Sequence, residues 1–320
     1  MQQNSVLKGV LLVGLGASFY GMLATFVKMA YKEGFTTAEV TTSQFVLGIL
    51  GLLVLNIFQT KFSKKSFPPI TTSDKKKLIF AGSSMGFTSL FYYLSVQYID
   101  VSVAIVLLMQ SVWISVVIEA ILKKEMPRLR KIISVLIVLA GTLFATNIVN
   151  QEIDLDWRGI MWGLLAAASF ATTMFAANTI ATYASPLRKT LFMLFGGFVI
   201  VSLFLFFGQI GPYNFDGLKS IYSTFSDNPA NIRAFDFSIF IKYGLILSLF
   251  GTILPPILFN SGFPKAGLGL GSIISSMELP VSVAMAFFLL DEKVEGIQWF
   301  GIAMILFAIV LMNLPSKKKV

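Results

Sequence analysis

Apolar runs of about twenty residues recur along this chain, and they constrain its fold more than any other feature. A run of that length carries a helix across about 30 Å of hydrocarbon. Inside a bilayer a single segment can complete its backbone hydrogen bonds only as a helix. Ten such segments fall at about 7–30, 38–58, 77–97, 101–122, 130–149, 158–182, 189–210, 240–261, 266–290 and 296–314. The third is the least apolar, because it carries Ser83, Ser84, Thr88, Ser89 and Gln97. The first is longer than the apolar core of a cleaved signal, and no small-residue cleavage site ends it, so it is expected to stay as a span. Most connections are short. The exception is 211–239, where Pro212, Asp216, Asp227, Asn228 and Pro229 predict an exposed loop with an interfacial turn near 221–225.

Composition agrees. Of 320 residues 56% are hydrophobic and 13% charged, against about a quarter charged in soluble domains. The chain has no Cys and no His. Disulfides, thiolate nucleophiles, Cys/His metal sites and imidazole relays are thereby excluded, and neither a metal nor a cofactor is expected. The net charge of +9 raises nucleic acid as a partner, but its distribution explains it otherwise. Seven cations (Lys28, Lys32, Arg158, Lys219, Arg233, Lys242 and Lys293) fall on one side. The remaining 18 of 25 fall on the other, among them those of 61–77 and 123–131, Arg188, Lys189 and the tail Lys317–Lys319. Positive charge gathers on the cytoplasmic face, so both termini are expected in the cytoplasm, in a plasma (inner) membrane, and no nucleic acid is needed.

The chain also repeats. A shift of 167 lays 101–141 on 268–308, pairing Ser111 with Glu278 and Glu125 with Glu292. Ser18-Phe19 pairs more weakly with Ser169-Phe170. Two halves, 1–150 and 151–320, each hold five segments, and an odd number of spans inverts the second half. Inverted repeats around a mid-membrane site characterise secondary transporters.

The stretch "MELPVSVAMAFFLLDEKVEGIQWFG", with Glu278, Glu292, Gln298 and Gly301, resembles a signature of the drug/metabolite transporter superfamily, EamA-type exporters in particular. The resemblance covers nearly the whole chain. It implies an all-α polytopic fold of ten transmembrane helices in two inverted five-helix repeats. There are departures. Leu279 separates the acid from Pro280, Val112 occupies the matching proline position in the first half, and Gln44 stands where the family often has Arg.

Glu278 is the leading candidate for function, since an acid in mid-span marks a functional site by default. Helical spacing places Ser275, Glu278 and Ser282 on one face. Pro280 removes a backbone donor and disturbs the Ser276 carbonyl. Three roles stay open for the acid: gating or structural support, proton exchange, and substrate contact. In the first half Ser111 is its counterpart, with Gln110, Ser115 and Trp113 beside it. Trp113 is either a cavity wall or lipid-facing bulk, and Gln110 an interhelical hydrogen bond or a substrate contact. Tyr20 is a further cavity candidate. Tyr92 and Tyr93 suit either the cavity or the interfacial aromatic belt. Asn260 follows Pro255-Pro256, which with Pro280 are candidate hinges. Gly82 and Gly86 suit close helix packing, and Glu125 and Glu292 helix ends. Gly267, Gly269 and Gly271 are not a phosphate loop, since no Gly-Lys-Ser/Thr follows.

These features point to a secondary transporter, not an enzyme. It is expected to export small metabolites, such as amino acids or related amphipathic compounds, by alternating access, with protons as candidate coupling ions. A nucleotide-sugar or sugar-phosphate carrier is the alternative. A channel, a non-catalytic subunit or a polytopic lipid enzyme fits less well.

Overall fold

The computed structural model describes residues 2–62, 67–96, 98–99, 101–148, 156–225, 232–291 and 293–313, and every regular element among them is helical. In chain order these are α1 (Gln2–Lys32), α2 (Thr37–Phe62), α3 (Thr72–Val96), α4 (Val101–Leu108), α5 (Ser111–Lys123), α6 (Leu129–Ala145), α7 (Trp157–Thr179), α8 (Pro186–Asn214), α9 (Asp216–Phe225), α10 (Phe240–Ala266), α11 (Leu268–Ser275), α12 (Glu278–Leu290) and α13 (Gly296–Asn313). Seven helical stretches among the described residues are long and apolar enough to cross a membrane, the pairs α4/α5 and α11/α12 each counting as one, and α13 adds a shorter apolar helix. Large apolar side chains stay exposed in helical stripes, such as Leu7, Leu11 and Leu15 on α1. Apolar surface on this scale does not face water in a soluble protein. The chain is an integral, multi-pass membrane protein.

The repeat is visible in the backbone. Helices α4 and α11 begin and end 167 positions apart, as do α5 and α12, and α6 and α13 begin so. Lys124 and Asp291, also 167 apart, both end their helices in the left-handed conformation at φ 53° and 51°. Equivalent spans, α6 with α13 and α4/α5 with α11/α12, cross in opposite directions. On α6 and α13, Gly141 lies against Met304 and Ile305, and Gly301 against Ala145. On α5 and α11, Val112 lies by Ser272 and Glu119 by Gly269. Helix α1 packs antiparallel on α10, with Gly9 at Ala266 and Gly16 at Phe259, and parallel to α11 and α12, with Gly14 at Ile274 and Gly21 at Glu278.

Small residues set the closest approaches. A Cβ at Gly82 would strike the Met193 backbone, and one at Gly196 the Ile79 carbonyl. The expected small-residue contact of Gly82 and Gly86 therefore joins α3 to α8 backbone against backbone.

Three segment expectations are corrected. Segments 101–122 and 266–290 are not continuous helices. Each tightens at the matched positions Met109–Gln110 and Ser276–Met277, where Val112 N–H bonds Met109 O and Leu279 N–H bonds Ser276 O, three residues back. Much of 211–239 is helical instead of loop, because α8 runs on to Asn214 and α9 follows. Asp227, Asn228 and Pro229 lie outside the described residues, as do Gln97, Glu292 and Lys317–Lys319. Segment 240–261 extends to Ala266, running through the candidate hinge Pro255-Pro256 and Asn260. A widened turn over Leu249–Ile253, where Leu254 N–H bonds Leu249 O, admits Pro255 and Pro256 without ending the helix. Wide turns of this kind re-satisfy backbone groups around missing donors.

Candidate functional site

Glu278 is the first residue of α12, directly after the tight turn. Pro280 thus sits in the first helical turn, where backbone N–H groups need no intrahelical partner. The tight turn interrupts the stripe expected from Ser275, Glu278 and Ser282. Ser275 is buried, bonds Ser272 O and faces the Met174 sulfur, while Glu278 keeps accessible surface. Ser115 contacts the same sulfur from α5.

Around Glu278 three helices meet. Gly21 lets the α1 backbone rest on the Glu278 carbonyl, which puts the acid near mid-height of α1. The phenols of Tyr20 from α1 and Tyr92 from α3 lie within electrostatic range of it. Among the described residues no Lys or Arg pairs with it. Tyr20 makes edge contacts with Phe259 at 5.5 Å and Phe170 at 6.2 Å. Tyr92 meets Tyr93 at 5.8 Å, and Tyr93 meets Tyr31 at 6.1 Å, whose hydroxyl lies 3.2 Å from Thr37 Oγ1. Glu278, Tyr20, Tyr92 and Tyr93 are surrounded by protein, and each retains some accessible surface.

The first-half counterpart is different. Ser111 is buried, and its hydroxyl has no hydrogen-bond partner among the described residues. Gln110 bonds within its own helix, Nε2 donating to Val106 O at 3.0 Å, so the interhelical bond expected of it is corrected. The tightened turn frees that carbonyl, and the side chain replaces the missing backbone donor. Trp113 donates Nε1–H to Gln110 Oε1 at 2.9 Å. It lies on an exposed stripe with Val117 and Ile121, four residues apart each time. Of its two readings, this exposed stripe favours the outer side of α5 over a cavity wall.

Gln44 is buried against Gly251 of α10, and its carbonyl accepts from Thr252 Oγ1. Asn260 donates Nδ2–H to Thr190 Oγ1 at 2.9 Å, and its own carbonyl oxygen is without a partner among the described residues. Both tie α10 to its neighbours, away from Glu278's contacts. Glu125 is exposed at the end of α5.

Three buried charges escaped the sequence reading. Glu119 on α5 accepts from Lys123, Lys131 and the Gly269 N–H, bridging the halves at the start of α11. An acid inside the run "VVIEAIL" deserved the same suspicion as Glu278. Glu39 is fully buried and accepts from Thr36 N–H, Gln209 Nε2, Asp236 N–H and Arg233. The spacing Thr36-x-x-Glu39 is a capping-box signal that the sequence carried. On the same face Glu33 accepts from Tyr243 and Lys242, bonds that hold its carboxyl below the usual range. Lys189, taken above as a loop cation, is 1% exposed in the first turns of α8 and donates to Ala177 O at 2.7 Å. It caps the C-terminal end of α7, where carbonyls lack partners.

A membrane protein of two like halves, crossing antiparallel beside an acid without a cationic partner among the described residues, has the architecture of a transporter. The chain belongs to the EamA-like transporter family, whose model matches residues 7–147 and again 157–314. Members of that family are transporters, not enzymes. A solved structure described only as "Crystal structure of protein" superposes with a TM-score of 0.71 at 11% identity, covering 96% of this chain and 98% of that one. At that identity the likeness is one of fold alone. No curated protein matches.

Proposed function

We propose that the protein exports small amphipathic metabolites, amino acids or related compounds, by alternating access between its two halves. In this reading α3 and α6 complete ten spans in two inverted repeats, 1–150 and 151–320. Both termini lie on the cytoplasmic side of the plasma membrane, where most loop cations gather. The observation that carries the proposal is the placement of Glu278. A carboxylate with no cationic partner among the described residues sits where α1 meets α12, beside a helix interruption matched in the other half, and in this reading it borders the substrate recess. Interrupted helices near mid-membrane form substrate sites in inverted-repeat carriers. Glu278 also supplies the group for proton coupling, and the tight turns, Pro280 and Pro255-Pro256 supply points of bending.

Proteoliposomes loaded with a metabolite panel test it. The expected result is saturable counterflow without ATP. Uniform failure across amino acids, amines and organic acids would remove the carrier reading. A sugar-phosphate carrier has one observation in its favour, the buried ammonium of Lys189. That ammonium already bonds a helix-end carbonyl, which favours structural support. Counterflow of a hexose phosphate, abolished in Lys189→Met, would reverse that choice.

A further inference from the structure

We infer that the recess at Glu278 recognises an organic ammonium ion carrying an apolar or aromatic body, and that it selects simple amines over zwitterions. The inference rests on the carrier reading and narrows its substrate class at the same site, from amino acids and related compounds to amines. Three observations support it. First, Glu278 has no cationic partner among the described residues, although it lies deep in the bundle. A carboxyl taken out of water either holds a proton or needs a counter-charge, and a bound ammonium supplies the counter-charge.

Second, the walls are aromatic. Tyr20 and Tyr92 flank the acid from two helices, and Phe170 and Phe259 back Tyr20. Ring faces attract ammonium groups, most strongly where water is excluded, and the same rings bury an apolar body. Third, Tyr92, Tyr93 and Tyr31 follow one another at 5.8 and 6.1 Å toward the Tyr31–Thr37 contact at the α1–α2 connection. The row of edge-on rings continues the aromatic lining from Tyr92 to that end of the bundle. A substrate carboxylate, in contrast, would meet Glu278 itself and no Lys or Arg acting there. That is why zwitterionic amino acids are the poorer fit.

The test uses the full-length protein in nanodiscs. Binding of 2-phenylethylammonium is measured by calorimetry against its neutral isostere 2-phenylethanol, the anion 3-phenylpropanoate and zwitterionic phenylalanine. The cation is expected to bind at least about tenfold more tightly than the other three, as expected when a buried charge gains its partner. Glu278→Gln should erase that preference while leaving 2-phenylethanol unchanged, and Tyr20→Leu should weaken the cation. Equal binding of cation and neutral isostere to the unaltered protein overturns the inference, whether or not the variants fold. Counterflow separates the two readings. If another solute is carried and 2-phenylethylammonium neither competes nor moves, the ammonium inference fails and the carrier stands. If nothing moves, the carrier reading fails.

Discussion

The Glu119 carboxylate accepts the backbone N–H of Gly269 at 3.1 Å, across 150 residues of sequence. It joins α5 of the first half to the start of α11 in the second. Gly267 turns the chain there at φ +84°, and a side chain at Gly269 would collide with the carboxylate. Lys131 and Lys123 complete the cluster. An anion is favoured at a helix N-terminus, so one side chain serves a helix end and an ion pair together.

Glu119→Gln should therefore destabilise the fold by about 1–3 kcal/mol. Glu125→Gln, at an exposed site, should stay within about 0.5 kcal/mol. Thermal melting of the purified protein compares them. Equal melting of the two variants would show that the Glu119 cluster contributes nothing.

Glu39 and Arg233 should be energetically coupled. Glu39 is fully buried, whereas Arg233 is 39% exposed, so removing the acid is the costlier change. Glu39→Ala should cost about 2–4 kcal/mol, since it strands several buried donors. A double-mutant cycle with Arg233→Ala should give a coupling of roughly 0.5–3 kcal/mol. Strict additivity would mean the ion pair is incidental to the cap.

Gly196→Ala should separate α3 from α8, because the new methyl meets the Ile79 carbonyl, which cannot rotate away. Overpacking of this kind costs about 1–3 kcal/mol. Gly217→Ala meets nothing within 4 Å and should be neutral or slightly stabilising, given the better helix propensity of Ala. Melting temperatures and folded yield after purification decide between these expectations.

Acid pH should weaken the start of α7. Asp156 caps that helix through the Arg158 N–H, and the Arg158 side chain holds its carboxyl below the ordinary value. A depressed folded pKa stabilises the protein above the unfolded value, near 4. That contribution is lost as pH falls through the folded value. Melting of Asp156→Asn should then differ from the parent at pH 7 and converge with it once pH falls below the folded value. A difference that persists unchanged into acid would assign the effect to geometry instead of charge.

The apolar segments were legible because hydrophobic length is a local property: a span needs no neighbour to declare itself. The 167-residue repeat was legible for the same reason, and the backbone follows it down to the left-handed ends at Lys124 and Asp291. Glu278 stood out because a carboxylate is costly in hydrocarbon wherever it points. The helix interruption at Met109–Gln110 was not legible, since no proline marks it. It is recognisable only once Gln110 is seen filling the freed Val106 carbonyl.

Facing was decided by tertiary structure alone. Trp113 was open to a cavity or a lipid-facing reading and Tyr92 to a cavity or an interfacial one, yet Trp113 lies on an exposed stripe and Tyr92 within electrostatic range of Glu278. Lys189 looked like a loop charge until α7 brought it the Ala177 carbonyl. A single membrane helix carries its own hydrogen bonds, so sequence by itself determines that it forms and where its polar residues fall. Which flank meets protein depends on where small residues such as Gly21 and Gly196 let other helices approach, and that is settled only when all the helices pack together.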